Sequence, residues 1–256
     1  TEAILGELSL ARGDRLGRMS ARWFAHDRTR RGDRPCLLSG GPSAIWSRRV
    51  GGRFGGACNV VRAEAGWLVD EYGRKLLLRG VNLGGSTKVP AGPEGGTWNP
   101  EGFFDHRNVS FVGRPFPLDE ADEHFARLRE WGLTLVRFLV TWEAIEHAGP
   151  GIYDETYLDY VRAVLERAAH HGISVFVDPH QDVWSRFSGG SGAPGWTFDV
   201  VGMDITKFGP TDAALVHATY GDPFPCMIWP TNEGKLANLT MWSLFFGGDD
   251  FAPESK

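Results

Sequence analysis

Two stretches, LTLVRFLV at residues 133–140 and ISVFVDPHQD at residues 173–182, decide the fold of this chain. Each is nearly continuously apolar and rich in β-branched residues before its polar end, which is typical of a strand buried on both faces of a parallel sheet. Residues 154–171 lie between them and carry apolar side chains at helical spacing, and Gly172 follows as a helix stop. A strand, a helix and a second strand at this spacing predict a βαβ unit with a right-handed crossover.

The flanking sequence extends this pattern in both directions. Residues 79–85 (RGVNLGG) predict an earlier strand, and the apolar spacing from Leu118 to Gly132 predicts a helix. Upstream, the apolar runs 67–69 and 75–78 flank a turn with Gly and predict a β-hairpin. The remaining predictions are a long Gly- and Pro-rich loop at residues 86–117 and helices at residues 208–220 and 234–246.

The composition is that of an ordinary globular protein, but the charge is unevenly distributed. The 256 residues are 42% apolar and 23% charged, with a net charge of −5, which excludes the disordered, collagenous and coiled-coil classes. Residues 1–62 hold 12 Arg, no Lys and five acidic residues, and their Gly-rich end lacks apolar periodicity. We therefore predict a basic, disordered leader at 1–62 and a folded region at 63–256.

Several classes of partner and compartment are disfavoured by the same sequence. The basic leader lacks the interleaved aromatic residues that stack on bases, so we expect no nucleic-acid partner. Three cysteines are too few and too scattered for a disulfide framework or a zinc site. The sequence has no apolar run near the length of a membrane span and no signal-peptide pattern at its start. We accordingly expect a cytoplasmic protein.

Polar residues at the ends of the predicted strands are the candidates for chemistry. Arg137 interrupts an apolar strand, where a charge needs an acidic partner. Residues 178–182 (DPHQD) follow the next strand and are succeeded by Trp184. Hydrogen-bonding side chains beside an aromatic ring suit sugar recognition. A metal site built from Asp178, His180 and Asp182 and a purely structural turn are the alternatives.

Other polar residues near strand ends give weaker signals. Lys88, Trp142, Glu143 and Glu146 follow the first two strands of the predicted sheet. Glu143 and Asp182 suggest a pair of catalytic carboxylates, although Glu143 equally fits the first turn of a helix. Asn232 and Glu233 mimic a catalytic Asn-Glu pair, but they do not follow a buried strand, so we interpret them as a coincidental match.

With these residues identified, the chain resembles glycoside hydrolase family 5, in the branch of endoglycoceramidase-like and fungal steryl-glucoside- or glucosylceramide-cleaving enzymes. The resemblance covers roughly residues 65–256 and is most specific over DPHQDVWSRFSGGSGAPGWTF at 178–198. The other matching segments are RGVNLGGSTKVP at 79–90, the long segment from FDHRNVSF to ETYLDYV at 104–161, and MIWPTNEGKLANLTMWSLFFGGDDFAP at 227–253.

The resemblance implies a fold and roles for individual residues. It implies a (β/α)8 TIM barrel and a retaining mechanism with two glutamates. Arg137 would hydrogen-bond the nucleophile, and His180 would lie near the glycone as a second supporting residue. Lys88 and Asp178 would contact the sugar. The remaining substrate-binding residues implied are Gln181, Asp182 and Trp184.

The sequence departs from the family pattern at the two residues that break the bond. The acid/base glutamate is expected in an Asn-Glu-Pro motif, whereas Asn232 and Glu233 are followed by Gly234. We therefore predict an incomplete TIM barrel of about three βα units, with an N-terminal hairpin and the disordered leader. The expected function is hydrolysis of a glycolipid β-glucoside, without turnover by this chain alone and with poor solubility in isolation. The alternative is a non-catalytic carbohydrate-binding pseudoenzyme. We expect neither cofactor nor metal, and peripheral membrane contact in the full-length enzyme.

Overall fold

A computed structural model describes residues 61–92, 102–216, 218 and 228–251, with the side chains of residues 85, 228 and 229 left out. These residues fall into two compact units that divide between Leu78 and Arg79. The predicted leader lies outside the described residues except for its last two positions.

The first unit contains a hairpin displaced from the predicted one. Strands β1 (Arg62–Glu64) and β2 (Trp67–Val69) pair in antiparallel fashion around Ala65 and Gly66, both at positive φ. The predicted pairing of 67–69 with 75–78 is present only at its start, where Lys75 forms an antiparallel bridge with Val69 and the Leu76 N–H donates to Leu68 O at 2.7 Å; residues 76–78 are not a strand. The turn is held instead by the Asp70 carboxylate, which accepts the backbone N–H groups of Tyr72 and Arg74.

The second unit is built on the predicted parallel sheet. Its strands are β3 (Gly80–Leu83), β4 (Leu135–Thr141) and β5 (Ser174–His180), in the spatial order β3-β4-β5. Both pairings are parallel, so the predicted α/β class is confirmed. The prediction that β5 is buried on both faces is wrong. Within the described residues β5 pairs only with β4, and Phe176 is 41% exposed.

Two helices connect these strands as predicted. Helix α1 (Ala121–Glu130) precedes β4 and ends before Gly132, which has a left-handed φ of 74°. Helix α2 (Trp142–Glu146) is a short turn capped by the Thr141 hydroxyl. Helix α3 (Glu155–His170) crosses over from β4 to β5 and begins where the Asp154 carboxylate accepts the Tyr157 N–H at 2.9 Å.

The segment after β5 forms a second, aromatic core beyond the sheet. It contains helices α4 (Trp196–Val200), α5 (Ile228–Asn232) and α6 (Leu236–Gly247). The predicted helix at 234–246 is confirmed as α6. The predicted helix at 208–220 is wrong over 208–216, which is irregular, because Pro210 lacks an N–H and Asp212 adopts a left-handed φ of 58°. The main members of this core are Phe103, Trp184, Phe187, Phe198, Phe208 and Met241.

Over the residues that the structure describes, no helix is both long and apolar enough to cross a bilayer.

Candidate active site

Five ionisable side chains form a continuous row that runs from the interior of β4 to the segment just after β5, which we call the polar row. Lys88 Nζ lies 2.8 Å from Asp182 Oδ2, and the same oxygen lies 2.8 Å from His180 Nε2. His180 Nδ1 lies 3.3 Å from Asp178 Oδ2, which accepts Arg137 Nη2 at 2.6 Å. Positive and negative groups therefore alternate along the row, in the order Lys88, Asp182, His180, Asp178 and Arg137.

The register of the sheet explains why these groups meet. Asn82 and Arg137 are direct partners across β3 and β4, and the Arg137 guanidinium contacts Asn82 Oδ1 at 3.4 Å. Asp178 and His180 are two residues apart on β5, so both side chains project from the same face. The acidic partner that the sequence required for Arg137 is Asp178.

The charges of the row stabilise one another. Burial lowers the pKa of the His180 imidazole, but hydrogen bonds to Asp178 and Asp182 outweigh it and raise the pKa above the usual value. The hydrogen bond from His180, with a second from Lys88, holds the pKa of Asp182 well below its usual range against the effect of burial. The row therefore favours the ionised form of Asp182 and the imidazolium form of His180 relative to the same groups in water.

The same contacts argue against the alternative metal site. A ring nitrogen binds a metal through a free lone pair, and both nitrogens of His180 lie against carboxylates. Asp182 is further occupied by Lys88. Among the described residues, no cluster of three or more His, Cys, Asp or Glu has a geometry that could hold a metal. The residues of the row do not fit a metal centre.

Gln181 and Trp184 lie beside the row but have different surroundings. The Gln181 amide donates to Trp184 O at 2.6 Å, which holds the two left-handed residues Val183 and Trp184 in place. The Trp184 ring is only 3% exposed, and its N–H donates to the Thr197 hydroxyl at 3.0 Å. Stacking on a sugar needs an exposed ring face, so the expected stacking role of Trp184 conflicts with its position in the core.

The two carboxylates that follow β4, Glu143 and Glu146, are bound by structural partners. Glu143 Oε1 accepts Arg186 Nε at 2.8 Å, and both side chains are essentially inaccessible to solvent. Burial raises the pKa of Glu146, while hydrogen bonds from the Trp142 indole and the Gly151 N–H oppose that rise. The paired-carboxylate interpretation of Glu143 and Asp182 is therefore wrong, because Glu143 is buried in an ion pair with Arg186.

Asn232, interpreted above as a coincidental match, has a buried structural role. Its side-chain oxygen accepts the Leu215 N–H at 2.7 Å, and its amide donates to Leu215 O at 2.6 Å. The side chain thereby supplies the backbone of Leu215 with the partners that a neighbouring strand would provide. Glu233 is exposed.

Sequence reasoning missed two residues, one that contacts the row and one that holds the loop after β5. Asn82 contacts Arg137. The sequence feature that could have indicated this role is the presence of a polar residue within a short apolar strand. Arg186 binds Phe103 O at 2.6 Å, Asp105 O at 3.0 Å and Glu143, and thus joins the loop after β5 to the loop at 102–106. Nothing in the sequence distinguishes Arg186 from an exposed arginine, since its partners, two backbone carbonyls and the Glu143 carboxylate, are remote in the chain.

Comparison with known proteins identifies the family. Residues 96–206 match the family model described as cellulase, glycosyl hydrolase family 5. This part of the chain belongs to glycosyl hydrolase family 5. Since solved relatives of this family share its TIM-barrel type of fold, the parallel sheet and its helices are part of that fold.

Individual relatives are considerably longer than this chain. It is 59% identical over 193 residues to a glucosylceramidase of Rhizopus delemar, and the match covers 73% of this chain but 28% of the relative. It is 46% identical over 207 residues to the ergosteryl-beta-glucosidase of Saccharomyces cerevisiae, covering 74% and 27%. A crystal structure of sterylglucosidase 1 of Cryptococcus neoformans matches with a TM-score of 0.69 and 46% identity, covering 73% and 27%. The chain thus spans about a quarter of the length of these relatives.

Proposed function

We propose that this chain forms the glycone-binding part of a retaining β-glucosidase that hydrolyses a glycolipid, either a steryl glucoside or a glucosylceramide. The polar row carries the proposal, because a dense set of charged donors and acceptors at the carboxyl ends of parallel strands is where TIM-barrel enzymes bind substrate. The identity to the relatives named above supports the choice of a lipid glucoside. In this proposal β3, β4 and β5 are the first three strands of an eight-stranded barrel.

Each member of the polar row has a role in this proposal. Lys88, Asp182 and Asp178 offer charged partners to sugar hydroxyls, and hydrogen bonds to charged groups are stronger than those to neutral groups. His180, whose two ring nitrogens are bonded to Asp178 and Asp182, would hold those two carboxylates in position for the sugar. Arg137, held by Asp178, would orient the carboxylate nucleophile of the complete barrel. Gln181 would act by keeping the turn at residues 183–184 in place rather than by contacting the sugar.

The proposal includes no turnover by this chain alone. A retaining glycosidase needs two carboxyl groups about 5–5.5 Å apart, one protonated as the acid and one free as the nucleophile. Over the described residues, Asp178 and Asp182 are bound to cations, and Glu143 and Glu146 are held in structural contacts. None of these four is available for either task.

A chimera tests the proposed activity. The 193 aligned residues of this chain replace the corresponding segment of the Rhizopus delemar glucosylceramidase, and glucose release from glucosylceramide and from a steryl glucoside is measured. We expect release from at least one lipid, and a loss of about a hundredfold in kcat/KM for Arg137→Met. Arg162→Met, which removes a solvent-exposed partner of Asp159 on α3, is the control and should leave activity unchanged.

Two results would contradict the proposal. The first is a folded chimera that releases glucose from neither lipid under conditions in which the parent relative is active. The second is an Arg137→Met chimera as active as the Arg162→Met control.

The commitment of Asp178, Asp182, Glu143 and Glu146 to other partners also favours a second candidate, a carbohydrate-binding protein without catalysis. Calorimetry of the isolated chain with methyl β-glucoside, combined with the chimera assay, distinguishes the two candidate functions. Saturable binding with an inactive chimera supports the binding protein, whereas binding with an active chimera supports the glucosidase.

A further inference from the structure

One ion pair lies fully inside the protein, in the loop that follows β5. The Arg186 guanidinium contacts the Glu143 carboxylate at 2.8 Å, and the two side chains are 0% and 1% exposed. Replacing such a buried pair with apolar side chains of similar size is often neutral or stabilising, because two charges lose their hydration in the folded state. Stability alone therefore does not explain the pair, and its further contacts indicate a role in positioning.

Glu143 holds the loop after β5 at two points. Its carboxylate binds Arg186 in the middle of the loop. Its backbone N–H donates to Gly192 O, at the far end of the loop, at 2.7 Å. Glu143 belongs to α2, which begins directly after β4 and is capped by Thr141. The loop is thereby fixed to the end of the central strand of the sheet.

The backbone of Asp182, a member of the polar row, pairs with the end of this loop. The Asp182 N–H donates to Ser191 O at 2.7 Å, and the Ser191 N–H donates to Asp182 O at 3.0 Å. Ser191 directly precedes Gly192, whose carbonyl accepts the Glu143 N–H. A short series of contacts therefore connects the buried pair to the backbone that carries the Asp182 carboxylate.

The Asp182 carboxylate in turn holds two other members of the row. Its Oδ2 atom lies 2.8 Å from both Lys88 Nζ and His180 Nε2. The side chains of Lys88 and Asp182 are 38% and 32% exposed, so packing alone does not fix them. Hydrogen bonds weaken as their distance and angle depart from the optimum. A displacement of the Asp182 backbone would therefore weaken both contacts.

We propose that the buried pair of Arg186 and Glu143 is a positioning element for sugar binding, because it fixes the Asp182 carboxylate at the place where the polar row would receive a glucoside. This inference rests on the proposed function. Neither member of the pair contacts the sugar, and both act through Asp182. Removal of the pair should therefore disturb the row while the sheet and its helices stay folded.

The double variant Arg186→Met with Glu143→Met tests this role in the isolated chain, because it removes both charges and keeps similar side-chain lengths. Hydrogen exchange read by mass spectrometry on dilute protein should become about tenfold faster over the loop at 182–192. NMR titration should show a lower pKa of His180, since its ring would lose the close carboxylate of Asp182. Calorimetry should show about tenfold weaker binding of methyl β-glucoside.

Two further variants separate positioning from general destabilisation. Phe125→Leu leaves a cavity near Phe116 and His171, on the side of α1, and should lower the Tm without changing any of the three measurements. Arg186→Lys keeps a charge opposite Glu143 but lacks the planar fork that also reaches two carbonyl groups. It should have an intermediate effect, and it provides the same three measurements if the double variant does not fold.

The chimera with the Rhizopus delemar relative extends the test to turnover. There the double variant should raise KM by about tenfold and change kcat less, because Asp182 is proposed to bind the sugar rather than to break the bond. Phe125→Leu should leave both constants unchanged. A fall in kcat with an unchanged KM would contradict the assigned role.

Failure of the inference and failure of the proposed function give different results. A folded double variant with unchanged loop exchange, His180 pKa and glucoside affinity would overturn the inference. Faster loop exchange without weaker glucoside binding would also overturn it, since the pair would then hold the loop alone. The proposed function fails if the unaltered chain binds no glucoside and the unaltered chimera releases no glucose. Loop exchange and the His180 pKa are measured without sugar, so they still decide whether the pair positions Asp182.

Discussion

At the scale of single residues, one carboxylate oxygen connects two strands of the sheet. Asp178 Oδ2 lies within hydrogen-bonding distance of both Arg137 on β4 and His180 on β5. Removing Asp178 leaves Arg137 without its carboxylate partner, in a half-buried site where an unpaired charge is costly. The positions of Arg137 and His180 are therefore coupled.

We expect the contribution of the His180–Asp182 pair to stability to be greatest between about pH 4 and pH 6.5. The raised pKa of His180 gives a contribution that is complete below the usual imidazole value and is lost as the pH rises through the folded-state pKa. The lowered pKa of Asp182 gives a contribution that is complete above the usual carboxyl value and is lost as the pH falls.

Urea unfolding from pH 3 to pH 8 measures this effect against Asp182→Asn. The difference in free energy of unfolding should peak inside that window, and NMR titration should show a lower His180 pKa in the variant. A difference that does not change with pH would contradict the assignment.

Arg186 supports the loop after β5 from inside the protein. Its guanidinium lies 4.1 Å from the centroid of the Phe187 ring, in addition to its contacts with Glu143 and two carbonyl groups. We expect Arg186→Met to lower the free energy of unfolding by about 3–5 kcal/mol, because it leaves a buried carboxylate unpaired. Chemical denaturation measures the loss.

The double variant Arg186→Met with Glu143→Met separates charge from packing. It should be less destabilised than Arg186→Met alone, since no unpaired charge remains inside. The exposed pair of Arg162 and Asp159 is the matched control, and Arg162→Met should change stability by less than about 1 kcal/mol. A double variant less stable than Arg186→Met would count against this explanation.

At the scale of elements, α6 joins the aromatic core to the surface. One side packs Met241 into the core, the other carries Phe246, and Gly247 determines where Phe251 lies. The last turn of this helix therefore determines where the Phe251 ring lies, independently of the sheet.

Gly247→Ala should displace the Phe251 ring without unfolding the helix. Gly247 has a helical φ of −73°, so alanine is compatible with the backbone and favours the helix, but its Cβ must displace Phe251. We expect an unchanged or raised Tm, together with shifted resonances of the Phe251 ring protons in NMR spectra. Gly234→Ala is the control, since a Cβ at that position meets nothing within 4 Å. Equal effects of the two substitutions on the Phe251 resonances would contradict the role of Gly247.

At the scale of the whole molecule, the sheet has a covered centre and accessible sides. β4 is largely buried, whereas within the described residues β3 and β5 each pair only with β4. Exposed strand edges and apolar faces promote association between chains.

We therefore expect the isolated chain to associate as its concentration rises, in keeping with the poor solubility predicted from the sequence. Phe176→Lys, on the exposed face of β5, should reduce this association more than Trp131→Lys, on a helix end. Light scattering after size exclusion measures it. A monomer at all concentrations, or equal effects of the two variants, would disprove the explanation.

The sequence predicted those parts of the fold that depend on local periodicity. The strands β4 and β5, the helices α1 and α3 and their stops at Gly132 and Gly172 follow from the spacing of apolar residues. The exposure of β5 depends on which strands lie beside it, which periodicity does not report. The helix predicted over 208–216 is wrong because the apolar residues of this segment pack as an irregular chain held by Asn232.

For the site, the sequence located the residues but not their contacts. The cluster at 178–182 was recognisable because polar groups follow an apolar strand, and Arg137 because a strand interior rarely contains a charge. The expected contact of Trp184 with sugar did not account for its burial, because that burial depends on Trp242, nearly sixty residues later. The contact of Arg186 with Glu143 depends on the close approach of two loops, which no local pattern encodes.

The glycines of the loop after β5 restrict how this region can change. A Cβ would lie 2.0 Å from the Asn232 amide at Gly189, 2.0 Å from Asp182 O at Gly190 and 2.2 Å from Gln181 Oε1 at Gly192. Three nearby positions thus tolerate no side chain unless α5, the end of β5 or Gln181 moves as well. Single substitutions at these three glycines are therefore not tolerated. To obtain a different loop here, the whole segment must be replaced together with α5.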